Sequence, residues 1–375
     1  MRRSELKMRL CGALVMCASL LHAGTVITSD GTFYEGALTL DNGITVKGPA
    51  VPVKLPFSSV LRARFAPSNP LSQPGLVLVN GARIAGAFSS LGEPLVKIPA
   101  KNIAIPSKEI AWAIYQPVHP ALAAQAPKGK TGALLQNGDF FEGTFRGGDA
   151  STAKLLSPVF GPRTFTPWEL HALVLRDVQP QPGAYDVLTR DGSIYPALDV
   201  LATNGTAITL RHTLYNGLRV PLPEITEIRA SRSRVVSLDE VRPTRLEIPQ
   251  GREPAACFAA NRALAGGPLK LGTRTVTAGF ECATGAAVWW KPPPGAGTFF
   301  ALVAASAGTP AGQELTFCVY ADGKVVGRSR PLAAGDLPSI LRCAVPGAES
   351  LVLSIEGTGG AASNGTWAEP MLLLR

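Results

Sequence analysis

Four aromatic residues in the last third of the chain have the chemistry of a ligand-binding surface. Trp289 and Trp290 are adjacent, Tyr320 lies in an alternating segment, and Trp367 lies close to the C-terminus. An aromatic ring can pack on the CH groups of a sugar, while nearby polar groups bind its hydroxyls. We therefore predict these four side chains as candidate ligand-binding residues, with a place in the hydrophobic core as the alternative for each.

The usual catalytic and metal-binding patterns are missing from the sequence. His119, His171 and His212 are far apart, and there is no HExxH, GxSxG or CxxC motif. Gly129-Lys130-Thr131 resembles the end of a phosphate-binding loop, but Ala124 occupies the position of that loop's first glycine. The sequence predicts a protein that is not an enzyme and that uses no cofactor and no metal.

Four of the six cysteines lie in the last third of the chain, namely Cys257, Cys282, Cys318 and Cys343. Their spacings of 25, 36 and 25 residues match no zinc-binding pattern. In an exported domain, four cysteines predict one or two disulfides, and the sequence leaves the three pairings open. Buried free thiols are the alternative.

The same region resembles a known family of β-sandwich domains. The segments that carry the resemblance are residues 237–243, 266–272, 277–280, 299–303, 317–324 and 366–370. In their order and spacing, residues 235–375 resemble the NPCBM family of carbohydrate-binding modules, which occur on secreted bacterial proteins, notably those of planctomycetes. The resemblance implies a jelly-roll sandwich of the galactose-binding type, a binding role, and a match of Trp367 to the family's last tryptophan.

Side-chain alternation predicts which residues of this domain face inward. Leu315, Phe317 and Val319 share one face of a strand and are predicted to be core. Cys318 and Tyr320 then face the opposite way. The two adjacent tryptophans also lie in a strand, so one is predicted to face inward and the other outward.

Upstream of this domain the chain repeats one β-unit four times. The units, called repeats 1 to 4 below, are residues 24–67, 75–117, 131–177 and 183–230. Each has a turn pair after an apolar strand: Asp30-Gly31, Asn80-Gly81, Asn137-Gly138 and Asp191-Gly192. Five residues after the turn glycine comes Gly36, Gly86, Gly143 or, in the fourth unit, Ala197. Each unit ends with a proline-led strand.

These signals predict the architecture of a repeat. Asn-Gly and Asp-Gly favour a type I′ hairpin between the first two strands, and a glycine inside a strand marks a bend. Five short strands in one unit are similar to an Sm-like or SH3-like barrel. The predicted fold is all-β, with four tandem small β-barrel-like repeats followed by the sandwich. The repeats either stack side by side or pair into two lobes.

The N-terminal residues 1–23 are predicted to be a signal peptide. Four basic residues and Glu5 give this segment a net charge of +3, and the apolar run 10–21 is shorter than a membrane-spanning helix. Of the formal charge of +9, about +6 remains, and it is scattered along the chain. Nucleic-acid binders concentrate such charge on one surface, so nucleic acid is not expected as a partner.

Together these observations predict a secreted or periplasmic bacterial protein that is not an enzyme. Its sandwich would bind a glycan or another component of the cell envelope, and its repeats would form a spacer or an assembly platform. The alternative is a structural or protein-interaction protein whose sandwich no longer binds sugar. This alternative rests on Ala283 and Thr366, which stand where relatives in the family tend to have a histidine and an acidic residue.

Overall fold

The computed structural model describes residues 23–48, 51–65, 74–118, 120–123, 126–181, 183–203, 205–215, 217–272, 274–357 and 363–374. The predicted signal peptide lies outside these residues except for Ala23, which begins the first strand, and therefore stays a prediction. The all-β prediction is confirmed, because strands dominate the described residues and their one α-helical turn is α1 (Pro120–Ala123). Antiparallel pairing is used throughout.

The described residues of repeats 1 and 2 contain ten strands. Repeat 1 has β1 (Ala23–Thr28), β2 (Phe33–Leu40), β3 (Ile44–Lys47), β4 (Val53–Leu55) and β5 (Val60–Arg64). Repeat 2 has β6 (Gly75–Leu78), β7 (Arg83–Ala85), β8 (Leu95–Ile98), β9 (Ile103–Pro106) and β10 (Ile110–Ile114).

The described residues of repeats 3 and 4 contain twelve strands. Repeat 3 has β11 (Gly132–Leu135), β12 (Phe140–Glu142), β13 (Thr144–Gly148), β14 (Ala153–Ser157), β15 (Gly161–Phe165) and β16 (Leu170–Val174). Repeat 4 has β17 (Tyr185–Thr189), β18 (Ile194–Ala197), β19 (Asp199–Thr203), β20 (Ala207–Arg211), β21 (Leu218–Pro221) and β22 (Ile225–Ala230).

The four repeats share one sheet and form no closed barrel among the described residues. The sheet has 14 strands in the order β12-β11-β16-β10-β6-β7-β18-β17-β22-β5-β1-β2-β3-β4. Repeat 1 joins repeat 4 through their last strands (β5 and β22), and repeat 2 joins repeat 3 in the same way (β10 and β16). The two pairs meet where β7 contacts β18. The repeats are therefore paired, which the sequence left open.

Each repeat begins with the same hairpin, but its turn is not the predicted type I′. Only the glycine of each pair has a positive φ, between 82° and 91°. In repeat 1 the N–H of Gly31 donates to the carbonyl of Thr28, whose own N–H donates to the carbonyl of Thr32. The same two hydrogen bonds recur in the other three repeats. This pattern is a three-residue loop with a glycine bulge, which needs one positive φ instead of two.

The side chain before each turn glycine explains why that residue is Asp or Asn. In repeat 1 the N–H of Thr32 donates to Asp30 Oδ1 at 3.1 Å. Side-chain oxygens of Asn80, Asn137 and Asp191 accept the equivalent N–H groups at 3.0–3.1 Å. Such a side chain satisfies a turn N–H that the strands cannot reach.

Two other local predictions are refined by the structure. The second strand is interrupted at Gly143 in repeat 3, where it passes from the 14-stranded sheet into the sheet of β13, β14 and β15. The prolines before the last strands do not begin those strands. In repeats 1 and 2 the proline precedes a single 3₁₀ turn, Phe57–Ser59 or Ser107–Glu109, and in repeat 4 Pro223 lies inside the turn Leu222–Glu224; the strand follows each turn.

The C-terminal part is a two-sheet sandwich. One sheet contains β23 (Val235–Ser237), β25 (Phe258–Ala260), β28 (Gly279–Ala283), β30 (Ala296–Ala305), β33 (Ser339–Ala344) and β35 (Asn364–Leu374). The other contains β24 (Arg245–Glu247), β29 (Ala287–Trp290), β31 (Leu315–Ala321), β32 (Lys324–Arg328) and β34 (Leu351–Gly357). A small hairpin is formed by β26 (Lys270–Leu271) and β27 (Arg274–Thr275).

The sandwich packs directly on the paired repeats 1 and 4. Ile27, Leu61 and Ala230 of the repeats form one apolar cluster with Phe300 and Met371 on the outer face of the six-stranded sheet. Burial of apolar surface at this contact stabilises the association of the two parts. One face of the sandwich is thereby covered, and the outer face of its five-stranded sheet points away from the repeats.

Candidate functional site

The outer face of the five-stranded sheet carries a row of side chains that includes two predicted ligand-binding residues. The strands of this sheet lie in the order β24, β29, β34, β31 and β32, and one residue from each lies opposite the next. In that order the residues are Arg245, Trp289, Val352, Tyr320 and Val325. Residues directly opposite each other in neighbouring strands point to the same face. We call these five residues the aromatic row.

Trp289 lies half-buried at the second position of the row. The guanidinium of Arg245 is 5.4 Å from its ring centre, within the range of a cation–π contact. Arg245 also pairs with Glu247 at 2.5 Å. The indole N–H of Trp289 has no partner among the described residues. The ring is thus fixed against a cation while part of its surface remains open to solvent.

Tyr320 presents a hydroxyl inside a group of charged side chains. It donates to Glu356 Oε1 at 3.1 Å, and Arg328 Nη2 donates to both oxygens of the same carboxylate at 3.0 and 3.1 Å. Desolvation and the Glu356 carboxylate raise the pKa of Tyr320, so the phenol stays protonated. Arg328 and Glu356 are exposed. The group offers donors and acceptors side by side at the surface.

Two of the predicted ligand-binding residues are core residues instead. Trp290 is 2% exposed, stacks on Phe280 at 5.3 Å and donates its indole N–H to the Val241 carbonyl. Trp367 is 0% exposed. Neither ring has surface for a ligand, so both predictions are corrected. The expected alternation holds, because Trp289 faces outward and its neighbour Trp290 faces inward.

The predicted disulfides are wrong. Cys257, Cys282, Cys318 and Cys343 are all buried free thiols. For Cys318 and Cys343, the directions of the side chains explain why no disulfide forms. Cys343 lies in the core between the sheets, whereas Cys318 is on the opposite face of its strand from the core residue Phe317. Burial raises the pKa of Cys343 to about 12 and that of Cys282 well above its ordinary value.

The cysteines should therefore be unreactive in the folded protein. A thiol reagent that reacts with thiolate is expected to label these four residues only after denaturation, because burial shields each sulfur and also suppresses the ionisation of Cys282, Cys318 and Cys343. The measurement is thiol titration with and without denaturant, on protein never exposed to reductant. Fewer than four free thiols in denaturant would restore the disulfide prediction.

A second cluster, not suggested by sequence, joins the sandwich to the repeats through buried charges. Arg62 Nε contacts Glu227 at 2.9 Å, and Arg62 Nη1 contacts Glu369 at 2.5 Å. Arg64 bridges the same two carboxylates. Burial opposes ionisation of Glu227, yet Arg62 and Arg64 lower its pKa to about 2. We call these four residues the ion clamp.

Asp239 lies next to the ion clamp with one oxygen, Oδ1, that is buried and has no partner among the described residues. Desolvation, together with Glu369 and Glu240, raises its pKa to about 6, and Arg62 opposes the shift. Between the ordinary and the raised pKa, Asp239 therefore keeps a proton in the folded protein that it has already released in the unfolded chain. The cost of ionised Asp239 is present in full above about pH 6, falls as the pH drops below that value, and is gone only below the ordinary aspartate pKa of 3.8.

Replacing Asp239 by Asn should remove this pH dependence. At pH 7.5 we expect Asp239→Asn to raise the free energy of unfolding by about 1–2 kcal/mol, because a neutral amide replaces a poorly solvated carboxylate. As the pH falls below 6 the difference should shrink, and it should approach zero near pH 4. Denaturant titrations at both pH values measure it. A variant less stable than wild type at pH 7.5 would contradict this role of Asp239.

Among the described residues the remaining candidates for chemistry do not assemble into a metal site, and His119 lies outside those residues. Within the described ranges, no group of three or more His, Cys, Asp or Glu side chains is placed to hold a metal ion. His212 is occupied by structural contacts, since it stacks on Tyr215 at 4.3 Å and accepts the N–H of Leu214. Among the same residues no helix has the length and apolar character needed to cross a membrane.

Comparison with known proteins finds a family match in the part of the chain that forms the sandwich. Residues 236–373 match the NPCBM/NEW2 domain. No curated protein matches the chain.

Among solved structures, a CBM51 from Clostridium perfringens GH95 in complex with methyl-galactose is similar at 17% identity and a TM-score of 0.32, covering 37% of this chain and 99% of that one. A CBM51-2 with INT domains from Clostridium perfringens ZmpB, in complex with GlcNAc, has 12% identity and a TM-score of 0.34, with 59% and 43% coverage. CsCBM6-3 from Clostridium stercorarium in complex with cellobiose has 12% identity and a TM-score of 0.23, with 38% and 92% coverage.

Proposed function

We propose that this protein is an exported, non-enzymatic carbohydrate-binding protein whose sugar site is the aromatic row. The observation that carries the proposal is the outward Trp289 in register with Tyr320, beside the exposed Arg328 and Glu356. The match of residues 236–373 to the NPCBM/NEW2 domain supports a binding role. The repeats act as a rigid platform that presents this face. The division into repeats 24–67, 75–117, 131–177 and 183–230 and a sandwich 235–375 is part of the proposal.

The arrangement of the row favours a chain of linked sugars. One strand, β34, lies between the strands that carry Trp289 and Tyr320. At the usual spacing of neighbouring strands the two residues are therefore about 10 Å apart. One ring would pack on Trp289, and the hydroxyls of the next would contact Tyr320, Arg328 and Glu356. A flat sheet face also accommodates an extended ligand better than a single small sugar, which proteins usually enclose in a pocket.

A glycan array probed with the whole chain tests the proposal. Trp289→Ala should reduce the signal of bound glycans by about tenfold to hundredfold, as loss of a central tryptophan does at other binding surfaces. Leu337→Ala is the matched control, because Leu337 is an exposed apolar residue of the sandwich outside the row. Equal signals for wild type and Trp289→Ala would reject the row as the site. Absence of any bound glycan would favour the protein-interaction alternative.

A further inference from the structure

Repeat 3 differs from the other repeats in its second strand. In repeat 1, β2 lies between β1 and β3, and in repeats 2 and 4 the strands β7 and β18 each have neighbours on both sides. In repeat 3 the equivalent strand β12 is the last strand of the 14-stranded sheet and pairs only with β11 among the described strands. Its other edge leaves backbone groups without a strand partner, and such an edge is a template for pairing.

The chain already uses this strand to join repeats. The contact between the two repeat pairs is made by β7 of repeat 2 and β18 of repeat 4, which are equivalent second strands and run antiparallel with Ile194 opposite Arg83. Antiparallel pairing of two second strands is thus a contact that this fold forms. Repeat 3 presents the same element without such a partner.

Exposed apolar side chains flank the open edge. Phe160, in the turn between β14 and β15, is 74% exposed, and its ring stacks on Phe141 of β12 at 5.7 Å. The neighbouring Val159 is 77% exposed. Large apolar groups clustered at a surface commonly mark an interaction site.

We propose that β12 pairs antiparallel with β12 of a second copy of this chain, giving a twofold-symmetric dimer that continues the 14-stranded sheet. The same strand from both copies forms a closed, isologous contact. Centred on Phe141, the pairing places Glu142 opposite the second copy's Phe140, so no like charges face each other across the contact. The opposite end of the sheet is less suited to pairing, because β4 contains Lys54 and is flanked by Pro52 and Pro56.

The dimer would carry two aromatic rows on one particle. This consequence rests on the proposed sugar-binding function, whereas the dimer itself does not. Two linked sites raise the apparent affinity for a polymeric ligand without any new contact.

Analytical ultracentrifugation of the purified chain tests the proposal over a range of concentrations. Wild type should sediment with twice the mass of one chain, and Phe160→Asp should weaken dimerisation at least about tenfold, because it places a charge in the apolar contact. Val159→Asp is a second variant at a more exposed position, and circular dichroism verifies the fold of both. Val51→Asp is the control, since Val51 is 82% exposed near β4 at the other end of the sheet.

Three results would overturn the proposal. One is a monomer at every concentration, which would leave the open edge for a different partner. Another is a dimer that both folded variants leave unchanged. The third is any sign of head-to-tail association through both ends of the sheet. Such association would show either as dissociation by Val51→Asp or as particles that grow with concentration. No glycan enters the measurement, so its result is independent of the sugar-binding assay.

Discussion

Glu369→Ala should lower the free energy of unfolding by about 3–5 kcal/mol. The substitution removes one of the two carboxylates that Arg62 and Arg64 share, and Arg62 is almost fully buried. A buried guanidinium that loses its partner keeps its desolvation cost without the compensating attraction. Glu369 also has a φ of 51°, uncommon for a residue other than glycine, at a bulge in β35 that aims its side chain at the repeats.

Equilibrium denaturation measures this loss, and an exposed ion pair provides the control. Asp41 pairs with Lys54 at 3.3 Å, and both side chains are more than half exposed. Asp41→Ala should change stability by less than about 1 kcal/mol, because solvent screens the pair. A Glu369→Ala variant within about 1 kcal/mol of wild type would contradict the ion clamp as a buried network.

Trp367→Ala should destabilise the protein by about 3–5 kcal/mol, whereas Trp289→Ala should cost much less. The Trp367 ring lies among Phe280, Phe299 and Phe317, with ring-centre distances of 6.2, 6.1 and 5.1 Å. Its removal opens a large cavity between the two sheets. Trp289 lies on the outer face of its sheet, where solvent can fill the space that it leaves.

Trp367→Phe refines this comparison. The indole N–H of Trp367 has no partner among the described residues, so phenylalanine keeps an aromatic ring and removes an unsatisfied donor. Trp367→Phe should therefore lower the free energy of unfolding clearly less than Trp367→Ala does. Thermal or denaturant unfolding of the three variants measures the order. Equal costs for Trp367→Ala and Trp289→Ala would contradict the assignment of core and surface.

Local features of this fold could be predicted from sequence because their causes lie within a few residues. The hairpins follow from the Asp-Gly and Asn-Gly pairs, although those pairs alone do not distinguish a two-residue turn from a glycine bulge. Alternation likewise indicated that Trp289 and Trp290 face opposite ways. Which of the two faces the core depends on the pairing of β29 with β34, more than 60 positions along the chain.

The ion clamp and the pairing of repeats could not be predicted in this way. Arg62 and Glu369 are 307 positions apart, and no periodic pattern links them. Repeat 1 pairs with repeat 4 through β5 and β22, although repeat 2 is its neighbour in sequence. The cysteine prediction failed because it used number and compartment, while a disulfide also needs two sulfurs that face each other.

The most direct test of the central claim is calorimetric titration of the whole chain with the glycan that binds best on an array. Wild type should bind, and Trp289→Ala should bind at least about tenfold more weakly. Tyr320→Phe should lower the affinity by a smaller factor, because only the hydroxyl is removed. Trp289 and Tyr320 share the open face of the five-stranded sheet. Unchanged affinity in a folded Trp289→Ala variant would contradict sugar recognition by this face.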